Sequence, residues 1–428
     1  MDAIRKQIMP NVELTCITTD KFKASYFSVY LLQQLNRENA SLNALIPNVL
    51  RRGCAKYPDM ESMAAALNDL YGAAIEPVVR LAGEIQCTGF ISNFVDDKYI
   101  PGETSLLERV IGLVGDVLLA PVTKGGNLLD DYVASEKEKQ CEKIRANLND
   151  KITYSLLRLR EIMFKDEDLG VNVLGSVQST EKITPSALTK HYKSILEGSE
   201  IQMFYCGSAT PERVEAAVLE AFKILPRREI ADEAATQVRI SCGEPNYHVE
   251  MLDVTQGKLS LGFRLGEIMR SPELAAITVF NAVYGGGISS KLFLNVRERL
   301  SLCYYTSSMI DRHKGVMYVI SGIDFNKYDE ALGEILTQLE AVKRGEISPE
   351  ELDGAKKVVS SSLKAALDSA ASMDAFYLGQ AVDGLDYGLE EYAALTEKVT
   401  KEEVEKIARS VCLDTVYFLR NKQEVPQI

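Results

Sequence analysis

Histidine is nearly absent from this sequence: 428 residues contain three, His191, His248 and His313. They lie more than 50 residues apart, and none has a second histidine or a cysteine beside it. A lone imidazole reads as packing or solvated surface, so no histidine-based metal cluster is expected. The eight cysteines (Cys16, Cys54, Cys87, Cys141, Cys206, Cys242, Cys303 and Cys412) include no CxxC pair, which removes the zinc-ribbon and dithiol redox motifs. Several stand in apolar runs, such as Cys206 in IQMFYC. There a thiol behaves as a small hydrophobe, and the expectation is free, buried thiols in a reducing compartment. No stretch approaches the ~20 uncharged apolar residues needed to cross a bilayer. The opening MDAIRKQIMPNVEL also lacks the basic-then-apolar pattern of a secretory leader. The expected location is the cytoplasm, with no membrane partner. Basic excess is missing too: 48 Lys and Arg face 61 Asp and Glu, a net charge of −13. That balance weighs against nucleic acid, whose phosphates need clustered cations.

Other chemistry-bearing patterns are also missing. Gly285, Gly286 and Gly287 are not followed by Lys-Ser/Thr, so they form no phosphate loop. Neither a Ser-His-Asp nor a Cys-His spacing is detectable. The dense charge run EKEKQCEKIR, 136–145, mixes both signs and reads as a solvated helix face. Asp59, Glu61 and Asp69 read as first-turn charge and solvated face of one helix.

What is present is a globular composition, 46% apolar and 25% charged, in a chain long enough for more than one core. Alternating apolar residues predict strands over 12–18 and 26–32, followed by helices near 42–52 and 59–71. Strands at 74–81 and 84–93, helices over 104–120 and 129–163, a helix from Thr184, a strand at 201–206 and a helix from Thr210 complete a first half. The order then recurs. Strands are predicted at 247–254 and 258–265, helices at 272–284 and 289–299, and strands at 302–309 and 315–322. A helix at 326–343 follows, then one opened by the capping box Ser348-Pro349-Glu350-Glu351, a helix near 400–411 and a strand at 415–420. One element order occurring twice over ~200 residues predicts a duplicated α+β unit. The polar, unpatterned stretch LPRREIADEAATQVRIS, 225–241, reads as the join.

The most specific string lies in the second half: GGGISSKLFLNVRERLSLCYYTSS, 285–308. It resembles the C-terminal-half signature of the M16 (insulinase, pitrilysin) metallopeptidases: a glycine-rich turn, then Ser-x-Leu, then V-R-E-x-x-G-L-x-Y. Arg297 stands at the signature arginine, Tyr304 at the signature tyrosine, and Ser301 replaces the usual glycine. In that family the pair reaches the substrate backbone near the scissile carbonyl. The chemistry suits the role, since Arg offers a permanent charge and a fork of donors and a phenol can stabilise an oxyanion. The first half, NALIPNVLRRGCAKYPDMESMAAALNDLYGA at 43–73, lines up with the family's H-x-x-E-H region through its Gly-Cys, Tyr-Pro and Leu…Gly landmarks. In the family two imidazoles and a downstream Glu hold zinc, and the motif Glu takes a proton from its water. Here the ligand positions read Ala44 and Asn48, the general-base position Pro47, and the downstream ligand Lys143. A methyl group has no donor atom, an amide is a poor zinc ligand, and proline can neither move a proton nor continue a straight helix, so a kink or a helix start is expected at Pro47.

The resemblance, strongest to the YmfF-like branch of ~45–50 kDa bacterial subunits, implies an α+β chain of two tandem homologous domains. Each is a mostly antiparallel sheet with helices packed on one face. The expected division is 1–228, a linker at 229–241, and 242–428. It further implies a zinc-less chain that positions peptide substrate through Arg297 and Tyr304 in a clam-shell heterodimer, with zinc carried by a partner M16 subunit and none in this chain. A homodimer without that partner is also compatible. The branch is associated with modification of elongation factor P. The alternative is a non-catalytic scaffold or peptide-binding protein of the same fold, because fold alone does not fix function.

Overall fold

The computed structural model describes residues 3–102, 105–228, 234–239, 242–266 and 273–422. Parts of the expected linker (229–233 and 240–241) and the last six residues, 423–428, lie outside the described residues, as does position 272 of an expected helix. The chain opens with strands β1 (Ala3–Met9), β2 (Val12–Thr18) and β3 (Ala24–Gln34), then helices α1 (Ala40–Leu50) and α2 (Met60–Asp69). Strands β4 (Ala74–Ala82) and β5 (Ile85–Val95) precede α3 (Leu106–Leu119) and the short pair β6 (Thr123–Lys124) and β7 (Asn127–Leu128). Helices α4 (Asp130–Ala146), α5 (Lys151–Met163), α6 (Val177–Glu181) and α7 (Pro185–Gly198) lead to β8 (Glu200–Gly207) and α8 (Pro211–Ala221). The second half runs β9 (Asn246–Leu252), β10 (Gly257–Arg264), α9 (Glu273–Tyr284), a π-helical turn (Leu292–Arg299), β11 (Cys303–Asp311) and β12 (Val316–Ile323). It ends with α10 (Tyr328–Lys343), α11 (Pro349–Ala366), α12 (Ala370–Asp383), α13 (Leu389–Lys398), α14 (Lys401–Ser410) and β13 (Cys412–Asn421).

Strand order shows the duplication directly. The first sheet runs β1-β2-β8-β3-β5-β4 and the second β11-β12-β10-β13-β9. Set β1 aside, and each sheet places the half's last strand between its first two. That last strand is parallel to the first, β8 on β2 and β13 on β9, while every other neighbour is antiparallel. The fold is therefore α+β, with a similar domain built twice. In the first sheet Phe27, Val29 and Leu31 of β3 enter the core formed with α1, α3, α7 and α8, as their alternation requires.

The compact units are not the contiguous stretches 1–228 and 242–428. Residues 146–170 pack in the second unit and 369–388 in the first, and the 129–163 helix expected as one piece is α4 and α5, broken at Asn149-Asp150. In the first unit α12 lies on the face of β3 opposite the core. Its Asp374, 1% exposed, accepts hydrogen bonds from Tyr26 (2.8 Å), Ser28 (2.7 Å) and Tyr30 (2.5 Å), and Arg80 pairs with it at 3.1 Å. Burial pushes this carboxyl up from its ordinary value against the pull of those donors.

The second unit repeats the device with α5 on its own sheet. Ser155 and Ser260 share a hydrogen bond of 2.7 Å. A β-carbon at Gly262 of β10 would collide with the sulfur of Met163, so glycine there lets α5 approach the sheet. Just past α5, Glu167 receives Arg264 at 2.9 Å and Lys314 at 2.7 Å, both cations at most 1% exposed, and Arg264 also holds Asp414 at 2.7 Å. Burial raises the Glu167 carboxyl, but Lys314 and Arg264 outweigh it and leave it below the ordinary glutamate range. The free-thiol expectation needs one correction. Cys16, Cys54, Cys87, Cys141, Cys206 and Cys303 are free and buried, but Cys242 is bonded to Cys412. The parallel register that sets Asn246 against Thr415 carries the chain just before β9 to the start of β13, placing their Cα atoms 6.3 Å apart.

Removing either buried acid leaves desolvated donors behind, at a cost of about 3–5 kcal/mol. Asp374→Ala is thus expected to lower the melting temperature of the chain by several degrees, read by calorimetry; an unchanged melting temperature would show that α12 is held by its apolar contacts alone. Glu167 adds a pH signature. Its folded pKa is depressed, so its contribution is present above the unfolded glutamate value of about 4.3 and is lost as pH falls through the folded value. Glu167→Gln should therefore be markedly less stable than the parent at pH 7, and the gap should narrow below about pH 4.

Candidate functional site

The region expected to resemble a zinc site is built as packing. Helix α1 runs unbroken from Ala40 to Leu50 and neither starts at Pro47 nor stops there, which corrects the expectation at that residue. Proline removes only the N–H that the Asn43 carbonyl would have received. Ala44 is fully buried. Asn48 turns its amide back along the helix and donates to the Ala44 carbonyl at 2.9 Å. Across from α1, α4 presents Gln140, whose amide donates to the Ser41 carbonyl at 3.1 Å and the Leu174 carbonyl at 3.0 Å. One turn away Glu136 pairs with Arg52 at 3.1 Å and Lys139 at 2.7 Å. Lys143 stands exposed on α4. Among the described residues no three His, Cys, Asp or Glu side chains come together as a group able to hold a metal ion. A methyl, an amide spent on its own helix and an ammonium do not fit zinc.

The three histidines lie on different elements. His191 of α7 sets Nε2 2.6 Å from Asn43 Oδ1, and burial lowers its pKa. His248 of β9 stacks on Tyr417, with ring centroids 6.0 Å apart. His313 lies in the turn joining β11 to β12.

The signature string in the second unit makes a different structure. Gly285 sits where a β-carbon would strike Ser308 of β11 and Leu292, so the glycine-rich turn closes tightly before the π-helical turn. Within that turn the Leu300 amide reaches the Asn295 carbonyl at 3.2 Å, the i to i−5 spacing that accompanies functional sites more often than ordinary helix does. The turn ends with Ser301 at φ 49°, and the Ser301 amide bonds the Arg297 carbonyl at 3.1 Å. The reversal delivers Arg297 and Tyr304 to one open cleft of about 450 Å³, lined also by Glu298, Ser301, Leu302, Cys303 and Asp324.

Arg297 is half-exposed, lies 4.8 Å over the Phe293 ring, and is only loosely tied to Glu298 at 3.6 Å. Its fork of donors therefore stays accessible to a carbonyl. Tyr304 is 60% exposed and donates its hydroxyl to Asp324 at 3.0 Å. That hydrogen bond, and then the carboxylate charge, raise the phenol above its ordinary value. Burial pushes the neighbouring Cys303 thiol up as well. Sequence reasoning missed Asp324: it stands alone at the end of strand β12, and its partner is 20 residues away.

Comparison with known proteins places these features in a wider group. Residues 182–359 match the family described as the Peptidase M16 inactive domain. The chain is 30% identical over 413 residues, 95% of each chain, to a Bacillus subtilis protein named "Probable inactive metalloprotease YmfF". It is also 25% identical over 298 residues, 66% of this chain and 68% of the relative, to an uncharacterized zinc protease of the same organism, YmxG. Among solved structures, a conserved protein from Enterococcus faecalis superposes with a TM-score of 0.87 at 27% identity, covering all of both chains.

The left-handed conformation at position 301 explains why the signature has glycine there: a side chain at positive φ carries strain of roughly 1 kcal/mol. Ser301→Gly is expected to leave the fold intact and stabilise the chain by about 0.5–1 kcal/mol, measured by urea unfolding. A destabilised variant would mean the Ser301 hydroxyl holds the turn.

Proposed function

Because the chain belongs to the M16 peptidase family and is an inactive member of it, we propose that it acts as the substrate-positioning subunit of a zinc peptidase whose metal sits in a second M16 chain. The observation that carries this reading is the cleft that collects Arg297 and Tyr304, in a chain whose described residues bring no three His, Cys, Asp or Glu side chains together to hold a metal. Arg297 rests on the Phe293 ring and makes a loose contact with Glu298 at 3.6 Å, which leaves its donors free to turn to a substrate. Bacillus subtilis carries both a relative named inactive and one named a zinc protease, the two kinds of chain such a pair requires.

The division of labour follows from the groups present. The hydrolytic water and its general base belong to the other chain, where zinc lowers the water's pKa. In this chain the Arg297 guanidinium offers a bidentate fork to a peptide carbonyl, which fixes the backbone. The Tyr304 hydroxyl is a neutral donor that can turn toward the oxygen on which negative charge develops, and a preorganised donor is worth more there than in water. Both act on the substrate backbone, so the peptide's side chains need not be recognised at this site.

Mixing the purified chain with a zinc-bearing M16 chain from the same genome tests the reading. Peptidase activity is expected only in the mixture, and Arg297→Ala or Tyr304→Phe should lower its kcat by about 10²–10³-fold. If the mixture is active and both variants match the parent, the chain is a scaffold and the cleft is a relic. Stoichiometric zinc in the purified chain by metal analysis would overturn the division itself.

A further inference from the structure

Tyr304 reaches its place from the first residues of β11, where the strand leaves the Ser301 reversal, and its side chain is largely in solvent. An exposed aromatic at a strand end has several rotamers available, and a donor that wanders loses most of its value to a developing charge. One contact restrains it: the hydroxyl donates to Asp324 Oδ1 at 3.0 Å. Asp324 is itself placed by backbone, since it directly follows β12 and stands at the N-cap position of the short turn Phe325–Lys327 before α10, with its side chain not spent on a capping bond. The Lys327 amide bonds the Asp324 carbonyl at 3.0 Å. Asp324 lines the same cleft as Arg297. The other titratable groups there are Arg297 and Glu298 from the π-helical turn and Cys303 from β11, and Lys327 beyond Asp324 is taken up by Glu330 at 3.1 Å.

From this geometry we infer that Asp324 is a positioning residue for Tyr304: its carboxylate holds the phenol ring in the cleft with the hydroxyl protonated, until a peptide carbonyl arrives to take the hydrogen bond. The inference rests on the reading of the Arg297–Tyr304 cleft proposed above. No bond is made or broken; the O–H turns about its C–O bond from the carboxylate to the carbonyl oxygen. The carboxylate also makes loss of the phenolic proton harder, so the donor persists to higher pH than a free tyrosine's.

The test uses the two-chain mixture with a fluorogenic peptide, comparing Asp324→Ala, Asp324→Asn, Tyr304→Phe and the Asp324→Ala/Tyr304→Phe double variant. Asp324 is exposed, and a melting curve for each variant checks that the fold is kept. Asp324→Ala is expected to lower kcat about 10- to 100-fold with KM little changed, and to add nothing in the Tyr304→Phe background. Asp324→Asn keeps an oxygen acceptor without the charge. It should recover most of the kcat near neutral pH, with the alkaline fall in kcat moved to lower pH. If Arg297→Ala abolishes activity but Asp324→Ala behaves as the parent, or still lowers kcat when Tyr304 is already Phe, the Asp324 inference is overturned and the cleft reading stands. An active mixture indifferent to Arg297→Ala removes both.

Discussion

Two buried carboxylates decide which helix belongs to which sheet. Asp374 comes from α12, far along the chain, yet its oxygens are taken by three hydroxyls of β3 and by Arg80. Glu167 follows α5 of the first half, yet its partners are Arg264 on β10 of the second sheet and Lys314 in the turn between β11 and β12. Each half thus lends a helical segment to the other's sheet, and an acid beside each segment is paired with groups of the receiving unit: Asp374 fully buried, Glu167 partly so. A charge buried this way adds little net stability against an apolar replacement, but it penalises every misplacement, because an unpaired carboxylate in the interior costs several kcal/mol. Here that makes it a specificity device. Tyr26, Ser28 and Tyr30 lie on the face of β3 that alternates away from the main core, and without Asp374 three hydroxyls would meet apolar helix surface.

That exchange is also where the chain's pattern stops being readable. Strands and their alternation were legible, because a half-buried strand writes its burial into every second residue. The duplication was legible in the recurrence of element order, and the strand orders repeat it. Periodicity marks the helix over 146–163 but not the sheet that receives it, and it predicts no helix over 369–388, the segment that holds α12. Asp374 in ASMDAFY looks like any surface acid of a helix; only the fold sets it against Tyr26 and Tyr30. The Cys242–Cys412 bond was hidden for the same reason. The two residues are 170 positions apart, and what joins them is a parallel register between β9 and β13.

The candidate site divides along a similar line. Arg297, Tyr304 and the odd Ser301 were visible because a local string carries them, and a single tight reversal is encoded locally. The positive φ at 301 supplies the physical reason for the glycine that this chain lacks. Asp324 was not visible, since it enters from the far end of a neighbouring strand. Pro47 was read as a helix kink or start, but its seat inside a fully packed α1 overrode the local preference.

The α1–α4 region and the cleft around Arg297 are built on different physical terms. The α1–α4 region has closed over. Ala44 has no exposed surface, Asn48 spends its amide on its own helix, and Gln140 bridges α4 to the Ser41 and Leu174 carbonyls. These are the features of helix packing, where an unfilled ligand socket would leave a void and bare polar groups. The cleft around Arg297 is open, with a half-exposed guanidinium resting on Phe293, a phenol 60% exposed and an acid holding it. Its turn even tolerates a strained serine at position 301. On the reading proposed above, strain kept beside solvent-facing donors fits a cleft that serves a substrate, while the α1–α4 region serves packing alone.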